Sequence, residues 1–248
     1  MRRRSPGTRP RRIARTAARI NDLAFDWPLV WGARHQLGAG LLVTLALAGV
    51  TLAVSVVPAA LVAVGREFGP RTLATALAGG VAVVRGIPAV VGLVVVFFVL
   101  PFLGITLAPF PAVAGTLICV QVAYLSEVIR GALQAVGRGQ LEAARALGLG
   151  FMATLVHVVG PQSVRVALPA FASSTIQLFH NTTIASLVTL PDLLGQALDV
   201  QSISGNPSPL LAVVPVYWLL LLPLTWIGRR VEQRLATSDS WIGSRTSS

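Results

Sequence analysis

The sequence predicts an all-α, polytopic membrane protein with five transmembrane helices and one short helix on the cytoplasmic side. Three observations carry this. Hydrophobic residues make up 54% of the 248-residue chain, an excess that fits a membrane protein better than a soluble domain. Uncharged runs recur at the length of about 20 residues that a bilayer crossing needs. No strand-like alternation runs through them, and lipid cannot satisfy open backbone groups, so the spans are helices.

The first run, Gly38–Val64, is uncharged for 27 residues and long enough to cross once. Thr72–Val84 is uncharged for only 13 and is followed by Arg85 and then by 41 uncharged residues from Gly86 to Ser126. Pro101, Pro109 and Pro111 punctuate that long stretch, which reads as parts of two helices with a turn near Pro101–Pro111. Val166–Pro191 gives a fourth candidate span and Pro209–Gly228 a fifth.

Charge orients these spans. All 20 basic residues are arginine, and the net charge of +11 gathers in the N-terminal tail and in flanking loops. Arg66 and Arg71, then Arg130, Arg138 and Arg145, then Arg229, Arg230 and Arg234 mark cytoplasmic segments. Pro101–Pro111 has no charge and Pro191–Ser208 only Asp192 and Asp199, so both face outward. One end conflicts. Five crossings with a cytoplasmic C-terminus place the N-terminus outside, yet nine arginines precede residue 35. Leu23–Ala33, broken by Asp26 and Pro28, is too short to span. Three explanations stay open: the tail translocates against the rule, it is partly re-entrant, or the true start lies downstream. The basic tail is read as attracted to anionic lipid, not to nucleic acid, and no cleavable signal pattern follows it.

Other chemistries find little footing. Cys119 is the single cysteine, read as a small buried hydrophobe within a span. His35, His157 and His180 are scattered without acidic or thiol neighbours at ligand spacing, so no metal site is expected. There is no Walker-type phosphate loop. No cofactor is expected.

Between the third and fourth spans stands EAARALGLG, Glu142–Gly150, a small-residue helix opening on a carboxylate and closing on glycine. Glu142 is placed in the first turn, favourable to the helix dipole, and Gly148 where a left-handed cap falls. Ala143, Ala144 and Ala146 leave the backbone open to close approach. The piece is either an ordinary interfacial loop helix or a handle gripped from outside the membrane.

With this helix in place, the chain resembles the permease subunits of ABC importers, and within them the polar-amino-acid branch. The likeness covers roughly residues 37 to 235. It rests on the ordered set VRGIP (Val84–Pro88), AYLSEVIRGALQAVGRGQLEAARALGLG (Ala123–Gly150), GPQSVRVALPAF (Gly160–Phe171) and NTTIASLVTLPDLL (Asn181–Leu194). The resemblance implies the type I importer permease fold, a second permease copy or paralogue, a cytoplasmic ATPase that grips the alanine-rich helix, and an extracytoplasmic binding protein. It also implies a polar amino acid as solute and a bacterial plasma (cytoplasmic) membrane location. Glu142 would pair with a basic group of the ATPase, with Ala143, Ala144 and Gly148 supplying fit. Residues 1–36 would form a basic extension, 37–235 the transmembrane domain and 236–248 a cytoplasmic tail.

Several residues inside the spans are singled out. Arg85, Gly86 and Pro88 form a helix-breaking motif, Arg85 either lying near the pathway or snorkelling to the cytoplasmic headgroups. Glu127 pairs either with Arg130 three residues on or with Arg85, tying the second and third spans together. Gln177, His180, Asn181, Thr182 and Thr183 form a polar cluster in the fourth span, either lining the pathway or bonding between helices. This cluster departs from the family, which usually shows Lys-Asp-Thr-Ser where His180–Thr183 stand. Ala89–Phe98 lacks the family's polar residues, and Gly160 replaces the usual leucine. A secondary carrier would want inverted repeats and acidic midplane residues, and an intramembrane enzyme paired catalytic groups; neither pattern is present. The expected function is an ABC importer permease that does no covalent chemistry.

Overall fold

The computed structural model describes residues 25–243, which are helical with short connections and no strand. A short helix α1 (Trp27–Gly32) is started by Asp26, whose carboxylate accepts from the Leu29 amide at 3.0 Å. Helix α2 (Arg34–Phe68) has 35 residues, about 52 Å at 1.5 Å per residue, more than one hydrocarbon thickness. Then follow α3 (Arg71–Gly86), α4 (Ala89–Val94) with its continuation to Leu103, α5 (Pro109–Ala135) and α6 (Arg138–Ala146). Helix α7 (Phe151–Thr154) runs through a π turn (Leu155–Val159) into α8 (Gly160–Thr182) and a 3-10 turn (Thr183–Val188). Helices α9 (Leu193–Ser204) and α10 (Ser208–Gly243) complete the described chain.

Four helical stretches are long and apolar enough to cross a membrane: Arg34–Phe68, Pro109–Ala135, Phe151–Val188 and Ser208–Arg230. The pair Arg71–Gly86 and Ala89–Leu103, bent by 95°, makes a fifth candidate. The bend follows from Pro88. The residue before a proline is pushed from helical to extended backbone, and Ile87 lies at φ −100°, ψ 125°. Arg66, in the last turn of α2, and Arg85, in the last turn of α3, reach the same carboxylate oxygen of Glu127. Both ends of α3 therefore lie at one end of the bundle, and only α4 and its continuation head across. The expected outer turn is present: Gly104, at φ +81°, closes that continuation before Pro109 begins α5.

The packing is layered along the bundle. Leu47, Leu93, Val113, Leu117 and Leu178 form a central cluster joining α2, α4, α5 and α8. Ala63, Leu133, Val136 and Val159 join α2, α5 and the π turn at the end nearest α6. Leu193, Ala197 and Val213 hold α9 against α10 at the other end. On α2 the buried positions Gly40, Thr44, Ala48, Thr51, Ser55, Ala59 and Ala63 are small. Small residues in one stripe let helix backbones approach where lipid supplies no hydrophobic drive.

Two expectations are corrected, and one outward segment gains a helix. The fourth span begins near Phe151, not Val166. The π turn carries the helix through Gly160-Pro161, because the Leu155 carbonyl lies 2.7 Å from where a Cβ of residue 160 would sit, and Pro161 has no N–H to donate. Glycine in place of leucine is thus a steric condition of this turn. Pro191–Ser208, expected only as an outward-facing segment between spans, holds α9. Asp192 caps it by accepting from the Gly195 amide at 2.9 Å, and Gly205 at φ +70° ends it. The Asp192 carboxyl is buried, and burial raises its pKa to about 6. Cys119, expected to be buried, is exposed on α5 beside the apolar surface of α4.

Phe25–Gly32 lies at the end opposite α6. The Asp26 amide donates to Ser208 Oγ at 2.8 Å, at the start of α10. This is the outward end in the charge-based topology. Eight of the nine N-terminal arginines fall outside the described residues, as do residues 244–248 of the expected tail.

Gly40 gives the sharpest packing test. A Cβ there would stand 2.7 Å from the Asp192 carbonyl oxygen, whereas one at Gly49 meets nothing within 4 Å. Gly40→Ala is expected to cost about 1–3 kcal/mol by overpacking, and Gly49→Ala to gain up to about 1 kcal/mol from helix propensity. Thermal unfolding of the two variants in detergent checks this opposition of sign.

Candidate functional site

The site is assembled at the bundle end that carries α6. Helix α5 ends at Ala135, and after Val136 and Gly137 the chain re-enters helix at Arg138. Glu142 is therefore in the second turn of α6, not the first. The helix starts early because Leu141 packs into the cluster of Ala63, Leu133, Val136 and Val159, which seats the first turn. Ala144, three residues later, shares that inward face and is 2% exposed. This corrects its expected place on the outer surface with Glu142 and Ala143, both of which are exposed.

The far end of α6 closes with a Schellman arrangement. The Gly148 amide donates to the Arg145 carbonyl at 2.9 Å and the Leu149 amide to the Ala144 carbonyl at 3.0 Å. Gly148 sits at φ +76°, a conformation that costs an L-residue about 1–2 kcal/mol. Leu147, 80% exposed, projects beside it. A cavity of about 280 Å³ lies between α6 and α7, lined by Phe68, Leu141, Arg145, Leu149, Phe151 and Leu155 among others.

Behind α6 lies a knot of charge. Glu127 on α5 receives Arg66 Nη1 at 2.9 Å, Arg85 Nη1 at 3.2 Å and Arg130 Nη2 at 3.3 Å. Arg130 also stands 3.9 Å from Glu67, and Gln134 donates to Glu67 at 2.8 Å. The Arg85 guanidinium stacks 5.3 Å from the Tyr124 ring centroid. Both pairings considered for Glu127 are present together, and Arg85 is held by protein partners. Arg66, read from sequence only as a topology marker, makes the shortest contact of all. Its partner is 61 residues away, so no local pattern announces it. Gly86 and Pro88 complete the corner, Gly86 ending α3 and Pro88 preceding α4.

The polar cluster lies on the last two turns of α8 and the 3-10 turn after it. Gln177 Nε2 donates to Asn181 Oδ1 at 3.3 Å, and Thr183 Oγ1 to the His180 carbonyl at 2.7 Å. Gln177 and His180 are exposed and Asn181 and Thr183 half-buried. Thr182 is fully buried, its hydroxyl donating to the Phe179 carbonyl at 2.7 Å, so it does not share their open face. Another polar contact was not anticipated. Buried Gln121 donates to Ser174 Oγ at 3.0 Å, joining α5 to α8. The signal was legible: Gln121 is the lone amide in the run Gly86–Ser126.

Three arginines on one carboxylate make a distinctive prediction. In Arg85→Glu/Glu127→Arg the new arginine would be a third cation set directly between Arg66 and Arg130, which both lose their acid, so this charge exchange is expected to unfold at a lower temperature than either Arg85→Gln or Glu127→Gln. Glu127→Gln should cost about 1–3 kcal/mol. Arg85→Gln should cost under about 1 kcal/mol, its side chain being 42% exposed. Thermal midpoints of the four proteins check this, and recovery in the double variant contradicts it.

Comparison with known proteins agrees with this geometry. Residues 55–237 match the family described as the binding-protein-dependent transport system inner membrane component. The glutamine transport system permease protein GlnP of Escherichia coli (strain K12) is 31% identical over 218 residues, covering 86% of this chain and 99% of that protein. The L-cystine transport system permease protein TcyB of Bacillus subtilis (strain 168) is 28% identical over 213 residues, 84% of this chain and 87% of its own length. A crystal structure of an amino acid ABC transporter with histidines superposes with a TM-score of 0.77 at 26% identity, over 84% of this chain and 98% of that one. With α6 set between two apolar spans and the family match running from mid-α2 into α10, this chain belongs to the inner-membrane permease family of binding-protein-dependent ABC transporters.

Proposed function

We propose that this chain is a pathway-forming permease subunit of an ATP-driven importer for a polar amino acid, residing in a bacterial cytoplasmic membrane. Residues 37–235 form the transport unit. It acts with a second permease copy or paralogue, a cytoplasmic ATPase and an extracytoplasmic solute-binding protein. In this reading the chain makes and breaks no covalent bond; ATP hydrolysis belongs to the separate subunit. The observation that carries the reading is α6: a short helix seated by Leu141 and Ala144, capped by Gly148 and joined to α5 by two residues. A lever of this kind transmits force because neither of its ends is loose. Glu142 and Ala143 supply the docking face, with Glu142 meeting a basic group of the ATPase. Ala144 acts from beneath, by letting α6 sit close to the bundle.

The names of the relatives, permeases for glutamine and L-cystine, support an amino acid as solute. Gln177, His180, Asn181 and Thr183 are proposed to line the pathway, their open face available to a solute. His180 and Asn181 carry less charge than the Lys-Asp pair usual in the family, so the solute contacts here rest on hydrogen bonds.

Reconstitution with the ATPase and binding protein tests the coupling. A Cβ at residue 148 meets nothing within 4 Å, so substitutions there act through backbone strain alone. ATP hydrolysis stimulated by loaded binding protein should fall in the order Gly148→Asn, Gly148→Ala, Gly148→Val, because asparagine tolerates the left-handed region best and β-branched valine least. Membrane insertion should be unchanged. Equal stimulation across the series removes α6 from the coupling role. Calorimetry of the binding protein against a panel of amino acids identifies the solute.

A further inference from the structure

At the end opposite α6, α1 lies beside the first turns of α2 and α10 and leaves an apolar groove of about 550 Å³ between them. Leu41, Leu211 and Val216 are among its walls. Trp27 and Trp31, one turn apart on α1, stand at its rim and are each 68% exposed. Arg34 is the single charged residue in its lining. Its guanidinium donates to the Trp31 carbonyl at 2.8 Å and stacks 5.2 Å from the Trp31 ring. No carboxylate stands within 4.0 Å of it among the described residues. A guanidinium has five donors in a planar fork suited to phosphate, and most of these are unspent.

We propose that this groove holds one phospholipid of the outer leaflet, its phosphate on Arg34 and an acyl chain between α1 and α10. Charge complementarity selects that occupant. An apolar trough long enough for hydrocarbon ends at an unpaired cation, and two amphipathic indoles mark the level of the headgroups. A polar solute would find no partner inside the trough, whose walls below Arg34 are aliphatic and aromatic. A helix of a second copy would have to meet Arg34 with an acid, and of the described acids at this end two are engaged while Asp199 on α9 is exposed but outside the groove's lining. Asp26 caps α1 and Asp192 is buried capping α9. The site is separate from α6 and the polar cluster on α8, so the proposal stands or falls independently of the coupling mechanism.

Tryptophan quenching tests it. The full chain carrying Trp218→Phe, Trp226→Phe and Trp241→Phe retains Trp27 and Trp31 and is placed in phosphatidylcholine vesicles with a minor fraction of dibrominated phosphatidylglycerol or dibrominated phosphatidylcholine. The guanidinium is expected to give the anionic lipid about a fivefold preference, read as stronger quenching at equal mole fraction. Arg34→Gln should bring the two lipids level. Gly38→Phe, at a position with open space for a side chain, should fill the trough and reduce quenching by both. Equal quenching by the two lipids in the parent protein, or an unchanged preference in Arg34→Gln, overturns the proposal. Absence of quenching by either lipid also overturns it, showing that protein covers the groove.

Discussion

One carboxylate governs the architecture at the working end. Glu127 neutralises guanidinium groups from the last turn of α2, the last turn of α3 and its own helix α5. Arginine at membrane depth is tolerated when it is paired or reaches the headgroups. Here the pairing also sets geometry, because Arg66 and Arg85 can meet the same oxygen only if α3 turns back across the ends of its neighbours. Removing the acid would leave three cations facing one another, a larger loss than that of Arg85 alone.

Around this point the other features fall into place. Pro88 turns the chain by 95° so that α4 leaves the knot and heads across the bundle. The small-residue stripe on α2 permits close packing against its neighbours, and Gln121 clamps α5 to α8 through Ser174. Eight residues after Glu127, α5 ends and α6 begins almost at once. A force on α6 is therefore delivered to α5, and through Glu127 to α2 and α3. The outward end is held by different means. There Asp192 caps α9, the Leu193 amide donates to Thr44 Oγ1 at 3.1 Å, and Gly40 admits the Asp192 backbone. The two ends share helices but not interactions, an arrangement suited to one end moving against the other.

The spans, their order and the short helix between the third and fourth were legible because each has a local cause. Uncharged length marks a crossing, Pro88 marks a corner, and the glycine at 148 marks a left-handed cap that the chain does adopt. What escaped was set by distance or by facing. Arg66 looks like a loop charge until α2 is seen to run on to Phe68. Ala144 and Thr182 sit within the right motifs but point inward, which a one-dimensional pattern does not reveal without the helix phase. The start of α6 was misplaced because Glu142 was taken as its opening residue, while Leu141 finds an apolar seat that holds an earlier turn. Helix α9 was hidden in a segment of only 18 residues, Pro191–Ser208, that carries just two charges, a composition that fits an outer loop equally well. The fold class and family were thus in the sequence, and the three-way sharing of Glu127 was not.

The proposed coupling requires that α6 and the ends of α2, α3 and α5 move as one body. Spin labels at Leu147→Cys, just past the end of α6, and Val83→Cys on α3, both exposed positions, in a Cys119→Ser background test it by distance measurement with and without ATP in the assembled transporter. Motion as one body predicts an unchanged distance within each subunit in the parent protein and a changed, broadened one in Glu127→Gln. A distance that shifts on ATP binding with Glu127 intact would contradict it.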